Sequence, residues 1–265
     1  MYPFTASHHG GSGPPMVCIH GITDTWRTWE LVLPALERRH EVLAPTLAGH
    51  AGGPAIDGEV NDTVLVDALE RAMDNAGFET AHLVGNSLGG YIALRLAERG
   101  RARTVVALAP SGGWVHGDGA ADERIIHFET MQELLKTAAP QADQIVSTRE
   151  GRRRASAYMT TNFEHIPAEL LAHQIVGAAT CPAVLPLLEY GRRYGWEIDA
   201  ANINCPVRIV WGTEDQILRW PSTAVRYREE WLPHADWVVL EGIGHAPQLD
   251  VPLEAAQLIL GFATE

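Results

Sequence analysis

The sequence predicts an α/β fold: a mostly parallel, doubly wound sheet with helices on both faces. Two observations carry that reading. Short, predominantly apolar runs at residues 16–19, 82–84, 104–108 and 207–211 alternate with stretches whose apolar residues recur at helical spacing. Strands apolar on both sides belong to a sheet that helices cover on both faces. The second observation is the abrupt junction Leu83-Val84-Gly85-Asn86-Ser87-Leu88-Gly89-Gly90, which leaves room only for a very sharp strand-to-helix turn.

In chain order, residues 1–15 are rich in Gly, Ser, Pro and His and predict a flexible lead-in. His8-His9 has no third ligand nearby for a metal. Gly10-Gly11-Ser12-Gly13 precedes a strand instead of opening a helix, so it is no phosphate cradle. Strand 16–19 runs into His20-Gly21-Ile22-Thr23, and 26–39 is an amphipathic stretch with Trp29, Leu33 and Leu36 on one side, broken or kinked at Pro34. A strand starts at 41–44, a Gly-rich loop follows at 46–54, and 61–76 reads as a helix stopped by Gly77. The helix after Ser87 runs to about Arg99, with Gly100 as its stop. From 114 to 200 the alternation ceases; the pattern is helical, interrupted by Pro140, Pro167, Pro182 and Pro186, and predicts an inserted helical subdomain. Strand 207–211, an irregular helix at 223–231 and strand 237–240 resume the alternation. A last helix begins near Pro252, with Asp250 placed as its cap.

Composition narrows the classes of function. A chain of 265 residues, 46% apolar and 20% charged, can bury a full globular core. A net charge of −13 argues against nucleic acid or anionic membrane surfaces as partners. Cys18, Cys181 and Cys205 are too few and too scattered for a disulfide framework and suggest a reducing compartment, Cys18 being a small core residue. There is no basic start followed by an apolar stretch, and no run nears the ~18 apolar residues of a membrane span. A cytoplasmic protein acting on a small molecule is the expectation. No dinucleotide or P-loop glycine motif occurs, and Arg152-Arg153-Arg154 reads as an exposed helix face.

Three strand ends carry the chemistry. Ser87 sits at the apex of a G-x-S-x-G turn, where Gly85 and Gly89 supply the small residues such a turn requires. A serine becomes a nucleophile only beside a base, and the base needs a group to fix its tautomer. His245, in Gly242-Ile243-Gly244-His245-Ala246-Pro247, is the candidate base, with His50 and His82 as competitors. Asp215, in Trp211-Gly212-Thr213-Glu214-Asp215-Gln216, is the candidate acid, with Glu214 beside it. All three follow the carboxyl ends of strands, where open α/β sheets place their sites. An acyl-transfer oxyanion would be met by the backbone N–H groups of Ile22 and Leu88.

These motifs together resemble the α/β-hydrolase superfamily, in its capped branch of esterases, lactonases and cofactor-free relatives. The resemblance rests on His20-Gly21 with Trp29 eight residues beyond the glycine, the loop ending Gly49-His50, the Ser87 elbow, Asp215, and Gly244-His245-Ala246-Pro247. It implies a core of 1–113 and 201–265, with 114–200 as a helical cap inserted after the sixth strand and roofing Ser87. It implies no metal and no organic cofactor. Thr23, Trp29, Trp114 and Ile217 are the expected pocket residues; Phe128, Met131, Tyr158, Met159, Tyr190 and Trp196 add to the aromatic and apolar inventory of the cap. The sequence departs from the family pattern at Thr46, where an aspartate is usual, and the opening antiparallel strands are reduced to one or lost. Ser87 in place of aspartate argues against epoxide-hydrolase and dehalogenase chemistry, and Ile22-Thr23-Asp24-Thr25-Trp26 does not match the Gly-rich loop of carbon–carbon bond hydrolases. The expected activity is hydrolysis of carboxylic esters or lactones with a hydrophobic acyl or alcohol part. The alternatives are a cofactor-free haloperoxidase-like or acyl-transfer enzyme, and a slow-turnover receptor.

Overall fold

The structure is a computed structural model and describes residues 3–56, 58–114 and 120–263. Its strands are β1 (Ser7–Gly11), β2 (Pro15–Ile19), β3 (Glu41–Pro45), β4 (Ala81–Asn86), β5 (Ala102–Leu108), β6 (Val207–Gly212) and β7 (Asp236–Leu240). They form one sheet in the order β1-β3-β2-β4-β5-β6-β7. Every pairing is parallel except β1 with β3. The helices are α1 (Leu33–Leu36), α2 (Asp62–Asn75), α3 (Leu88–Glu98), α4 (Ala120–Ala138), α5 (Ala142–Val146), α6 (Arg149–Ser156), α7 (Ala168–Ala179), α8 (Val184–Tyr194), α9 (Pro247–Asp250) and α10 (Pro252–Leu260).

Side chains of the continuous apolar strands point alternately to two cores. On one face Val17, Leu83 and Val105 pack against Leu65 and Leu69 of α2 and Ile92 of α3. On the other, Met16, Val84 and Val106 meet Leu36 of α1 and Ala256 and Ile259 of α10. Among the described residues no single helix is long and apolar enough to cross a membrane.

Several local expectations are corrected. Residues 7–11 are an edge strand in register from Ser7 opposite Pro45 to Gly11 opposite Glu41. Their Ser, His and Gly side chains carry no apolar signal because the strand is half exposed on both faces. His8 and His9 bond Glu37 and Glu41. Stretch 26–39 divides into a 3₁₀ turn, Trp26–Trp29, and α1, with Pro34 in the first turn, where its missing N–H costs nothing. Asp250 does not cap α10, whose N-cap is Val251. Instead its carboxylate accepts the backbone N–H groups of Thr161, Asn162 and Gly244. Thr46, where the family pattern has an aspartate, ties the chain start to the loop after β3, its hydroxyl donating to Thr5 O at 3.0 Å.

The segment between β5 and β6 is helical, α4 through α8, with no strand among its described residues. It follows the fifth strand and not the sixth, because one antiparallel strand, not two, precedes β2. Its interior of Val146, Phe163, Ile166, Leu170 and Leu171 is continuous with Ala246 and Leu249. The helical layer therefore packs directly on the loop that carries His245.

Candidate active site

Strand β4 ends at Asn86, and α3 begins at Leu88, so Ser87 alone makes the turn, at φ 55° and ψ −117°. That conformation lies outside the allowed regions for a side-chain-bearing residue and costs about 1–3 kcal/mol. It persists because its surroundings leave no alternative: Ser87 N–H donates to Leu108 O at 2.9 Å, and Ser87 O accepts from Ser111 at 3.0 Å. A Cβ on Gly85 would lie 2.1 Å from Gly89 O, and one on Gly89 would lie 2.1 Å from Ile19 O. Both obstacles are backbone, so they cannot swing away. We expect Gly89→Ala to lower unfolding stability by more than about 3 kcal/mol, read as a fall in Tm or loss of soluble protein. A Gly89→Ala protein with wild-type Tm would show that the elbow is looser than its geometry states.

At the neighbouring strand ends, His245 Nδ1 donates to Asp215 Oδ2 at 2.7 Å, and both side chains are buried. Because an ionised carboxylate only accepts, Nδ1 carries the proton and Nε2 keeps its lone pair. The other carboxylate oxygen accepts from Ile217 N at 2.9 Å and Leu218 N at 2.7 Å, which fixes the plane of the group. Glu214, the sequence competitor, is exposed. Gly212 makes the close passage of the two loops feasible, since a Cβ there would sit 2.1 Å from Ile243 O.

Sequence reasoning missed a buried amide link beneath these groups. Asn86, the residue before Ser87, donates through Nδ2 to His245 O at 3.0 Å and to Leu108 O at 3.1 Å. Its Oδ1 accepts from Gln248 Nε2 at 3.1 Å, and Gln248 also reaches Thr28 Oγ1 at 3.2 Å. The serine strand and the histidine loop are thus tied through one side chain. Nothing in the sequence marks Asn86 or Gln248, because their partners lie 159 and 162 residues away along the chain.

The loop after β2 completes the site. A Cβ on Gly21 would be 3.2 Å from Ser87 Cβ, so this loop lies directly against the serine. The N–H groups of Ile22 and Leu88 have no protein acceptor among the described residues. His20 braces the loop from below, donating through Nδ1 to Gly21 O at 2.7 Å and accepting Leu47 N–H at Nε2, 2.8 Å. Burial, and then the neighbouring His50 ring, hold its pKa well below the ordinary imidazole value, so it stays neutral. Burial likewise pushes His50 down to about 4. His82, lowered to about 4 by burial and by His40, bonds Thr104 at the far end of β4. Neither competitor stands near Asp215.

A cavity of about 140 Å³ opens between this loop and the helical layer. Its lining includes Ile22 and Thr23 of this loop, Ile217 of the loop that carries Asp215, and Leu249 of α9 just beyond His245; Ser87 and His245 themselves are not part of that lining. Phe128, Met131, Tyr158 and Met159 face it from the helical layer. Two expected pocket residues are elsewhere. Trp29 is fully buried in the core under α1, and Trp114 packs on the core of the opposite face. Both are large and apolar, and periodicity does not distinguish a wall from an interior. Trp196 packs edge to face on both Tyr91 and Tyr190, in the core of the α3 face. Arg153 and Arg154 are exposed and paired with Glu150.

Comparison with known proteins agrees with this geometry. Residues 16–258 match the model of the Alpha/beta hydrolase family. Epoxide hydrolase EphH of Mycobacterium tuberculosis is 31% identical over 207 residues, 78% of this chain and 96% of that protein. A 2-hydroxymuconate semialdehyde hydrolase of a Pseudomonas species is 29% identical over 98% of this chain and 90% of its own length. Among solved structures, the enol-lactonase of Burkholderia xenovorans superposes with a TM-score of 0.74 at 18% identity, covering 98% of this chain and 96% of that one. The parallel sheet, the serine elbow and the buried Asp215–His245 bond sit inside the matched span, and the chain belongs to the alpha/beta hydrolase family.

Proposed function

We propose that this hydrolase cleaves carboxylic esters or lactones of small hydrophobic substrates through an acyl-enzyme on Ser87, with residues 114–200 as the cap over the site. The observation that supports it most is the buried Asp215–His245 hydrogen bond of 2.7 Å, on a loop that the residue before the strained Ser87 holds, Asn86 Nδ2 donating to His245 O at 3.0 Å. In this reading His245 Nε2 takes the Ser87 proton as Oγ attacks the substrate carbonyl, and Asp215 stabilises the imidazolium that forms. The Ile22 and Leu88 N–H groups donate to the oxyanion, each contributing roughly 3 kcal/mol to transition-state stabilisation. His245 then passes its proton to the departing alkoxide, which in a lactone stays tethered to the acyl group. Water, deprotonated by His245, attacks the acyl-enzyme and frees the serine. These steps need no metal and no organic cofactor.

Serine at position 87 argues against the chemistry named for the Mycobacterium relative. An epoxide opened by a carboxylate leaves an ester, which water can hydrolyse. Opened by a serine hydroxyl it would leave an ether, with no carbonyl for water to attack. The mostly apolar cavity supports a hydrophobic acyl or alcohol part.

A fluorophosphonate tests the reading directly. One equivalent should label Ser87, identified by peptide mass, and abolish hydrolysis of 4-nitrophenyl esters. Full turnover in a protein labelled at Ser87 would overturn it.

A further inference from the structure

Among the described residues that line the cavity, Asp24 is the one acidic side chain, and there is no lysine or arginine. Asp24 lies two residues beyond Ile22, on the loop that touches Ser87, and is 8% exposed. Its carboxylate is held in place: Oδ1 accepts Thr25 N–H at 2.8 Å, and Oδ2 accepts Gln174 Nε2 from α7 at 3.1 Å. The same helix is pinned to the next residue, His173 sharing a hydrogen bond of 2.9 Å with Thr25 Oγ1. All these partners are neutral. Arg27, three residues on, is already paired with Glu30 and Glu169.

A fixed carboxylate in a mostly apolar cavity, with no lysine or arginine among the described lining residues to answer it, makes a charge filter. We propose that Asp24 is a specificity-determining residue that makes the cavity favour ester or lactone substrates carrying an ammonium group and reject those carrying a carboxylate. This rests on the acyl-enzyme reading above and names its substrate class. The aromatic rings of Phe128 and Tyr158 on the same walls suit an alkylammonium, whose weakly hydrated charge is attracted to aromatic rings. An anionic substrate meets the repulsion of the Asp24 carboxylate there, at low effective dielectric.

Ionisation of Asp24 sets the working range of the filter. Burial raises its pKa to about 6, against the opposing hydrogen bonds from Thr25, Thr28 and Gln174. The other titratable groups around it are His173 on α7, which burial holds neutral with a pKa of about 4, and His127 of α4 and Tyr158, which meet edge to face. The filter is therefore present above pH about 6 and fades as the carboxyl protonates below it. The sign for stability is the reverse. A carboxyl whose pKa is raised in the folded state destabilises the fold above that pH, so Asp24→Asn should melt no lower than wild type at pH 8. An Asp24 that served only to anchor α7 would melt lower when replaced.

The test compares 4-nitrophenyl esters of matched shape: the trimethylammoniobutanoyl ester, its uncharged tert-butyl isostere, and the adipoyl half-ester. Wild type should show kcat/KM for the ammonium ester at least about tenfold above the adipoyl ester at pH 7.5. Asp24→Asn should bring that ratio close to the small bias set by the protein's overall negative charge. An unchanged ratio in Asp24→Asn overturns the proposal. A second measurement separates it from the catalytic reading: calorimetric binding of hexyltrimethylammonium and heptanoate to Ser87→Ala protein. Preference for the cation there, lost when Asp24→Asn is added, supports the filter even if none of the three esters is turned over. Equal affinity for the two ions overturns it.

Discussion

Replacing Ser87 with alanine should reduce kcat/KM on 4-nitrophenyl esters by ~10⁴–10⁶-fold and leave the fold intact. The large loss follows from the division of labour in the site. His245 and the two backbone donors act on a bond that only Ser87 Oγ can form, so without the hydroxyl the remaining groups merely position a carbonyl in water. The fold should be indifferent, because alanine keeps the Cβ that already occupies the strained position at φ 55°. Circular dichroism and Tm should therefore match wild type. Glycine at the same place should also be inactive, but it relieves the backbone strain and should raise Tm. Ester turnover within tenfold of wild type in Ser87→Ala would place the nucleophile elsewhere.

Much of the site was legible in the sequence because each strand-end motif records a local constraint. Gly85 and Gly89 are glycine for reasons that act within a few ångströms, and the order of Ser87, Asp215 and His245 follows the order of the strands. Where long-range packing decides, the sequence was mute. Trp29 and Trp114 looked like pocket walls and are core, since an indole is equally at home in either. Asn86 and Gln248 form the link between elbow and histidine loop, yet an asparagine before a serine carries no pattern. The resemblance allowed a single opening antiparallel strand, but residues 7–11 themselves read as flexible lead-in because edge strands need little apolar character. Asp24 entered only as part of a loop that failed to match a relative's, and its burial in the cavity wall became visible only when α7 was placed over it.

Asp215→Asn should lower kcat by ~10⁴-fold with little change in KM. The size of the effect comes from the two backbone donors on the far side of the carboxylate. Ile217 N–H and Leu218 N–H both point at Oδ1, so an asparagine must turn its amide oxygen toward them. Its NH₂ then faces His245 Nδ1, which can meet a donor only by giving up its own proton. The imidazole is left with its proton on Nε2, the nitrogen that has to accept one from Ser87. Substrate binding involves neither atom, hence the unchanged KM. Glu214→Gln serves as the control. Glu214 is exposed, its side chain reaches neither His245 nor the cavity, and its replacement should keep kcat within about threefold. The opposite ranking, with Glu214→Gln the crippled variant, would mean that the acid had been assigned to the wrong neighbour.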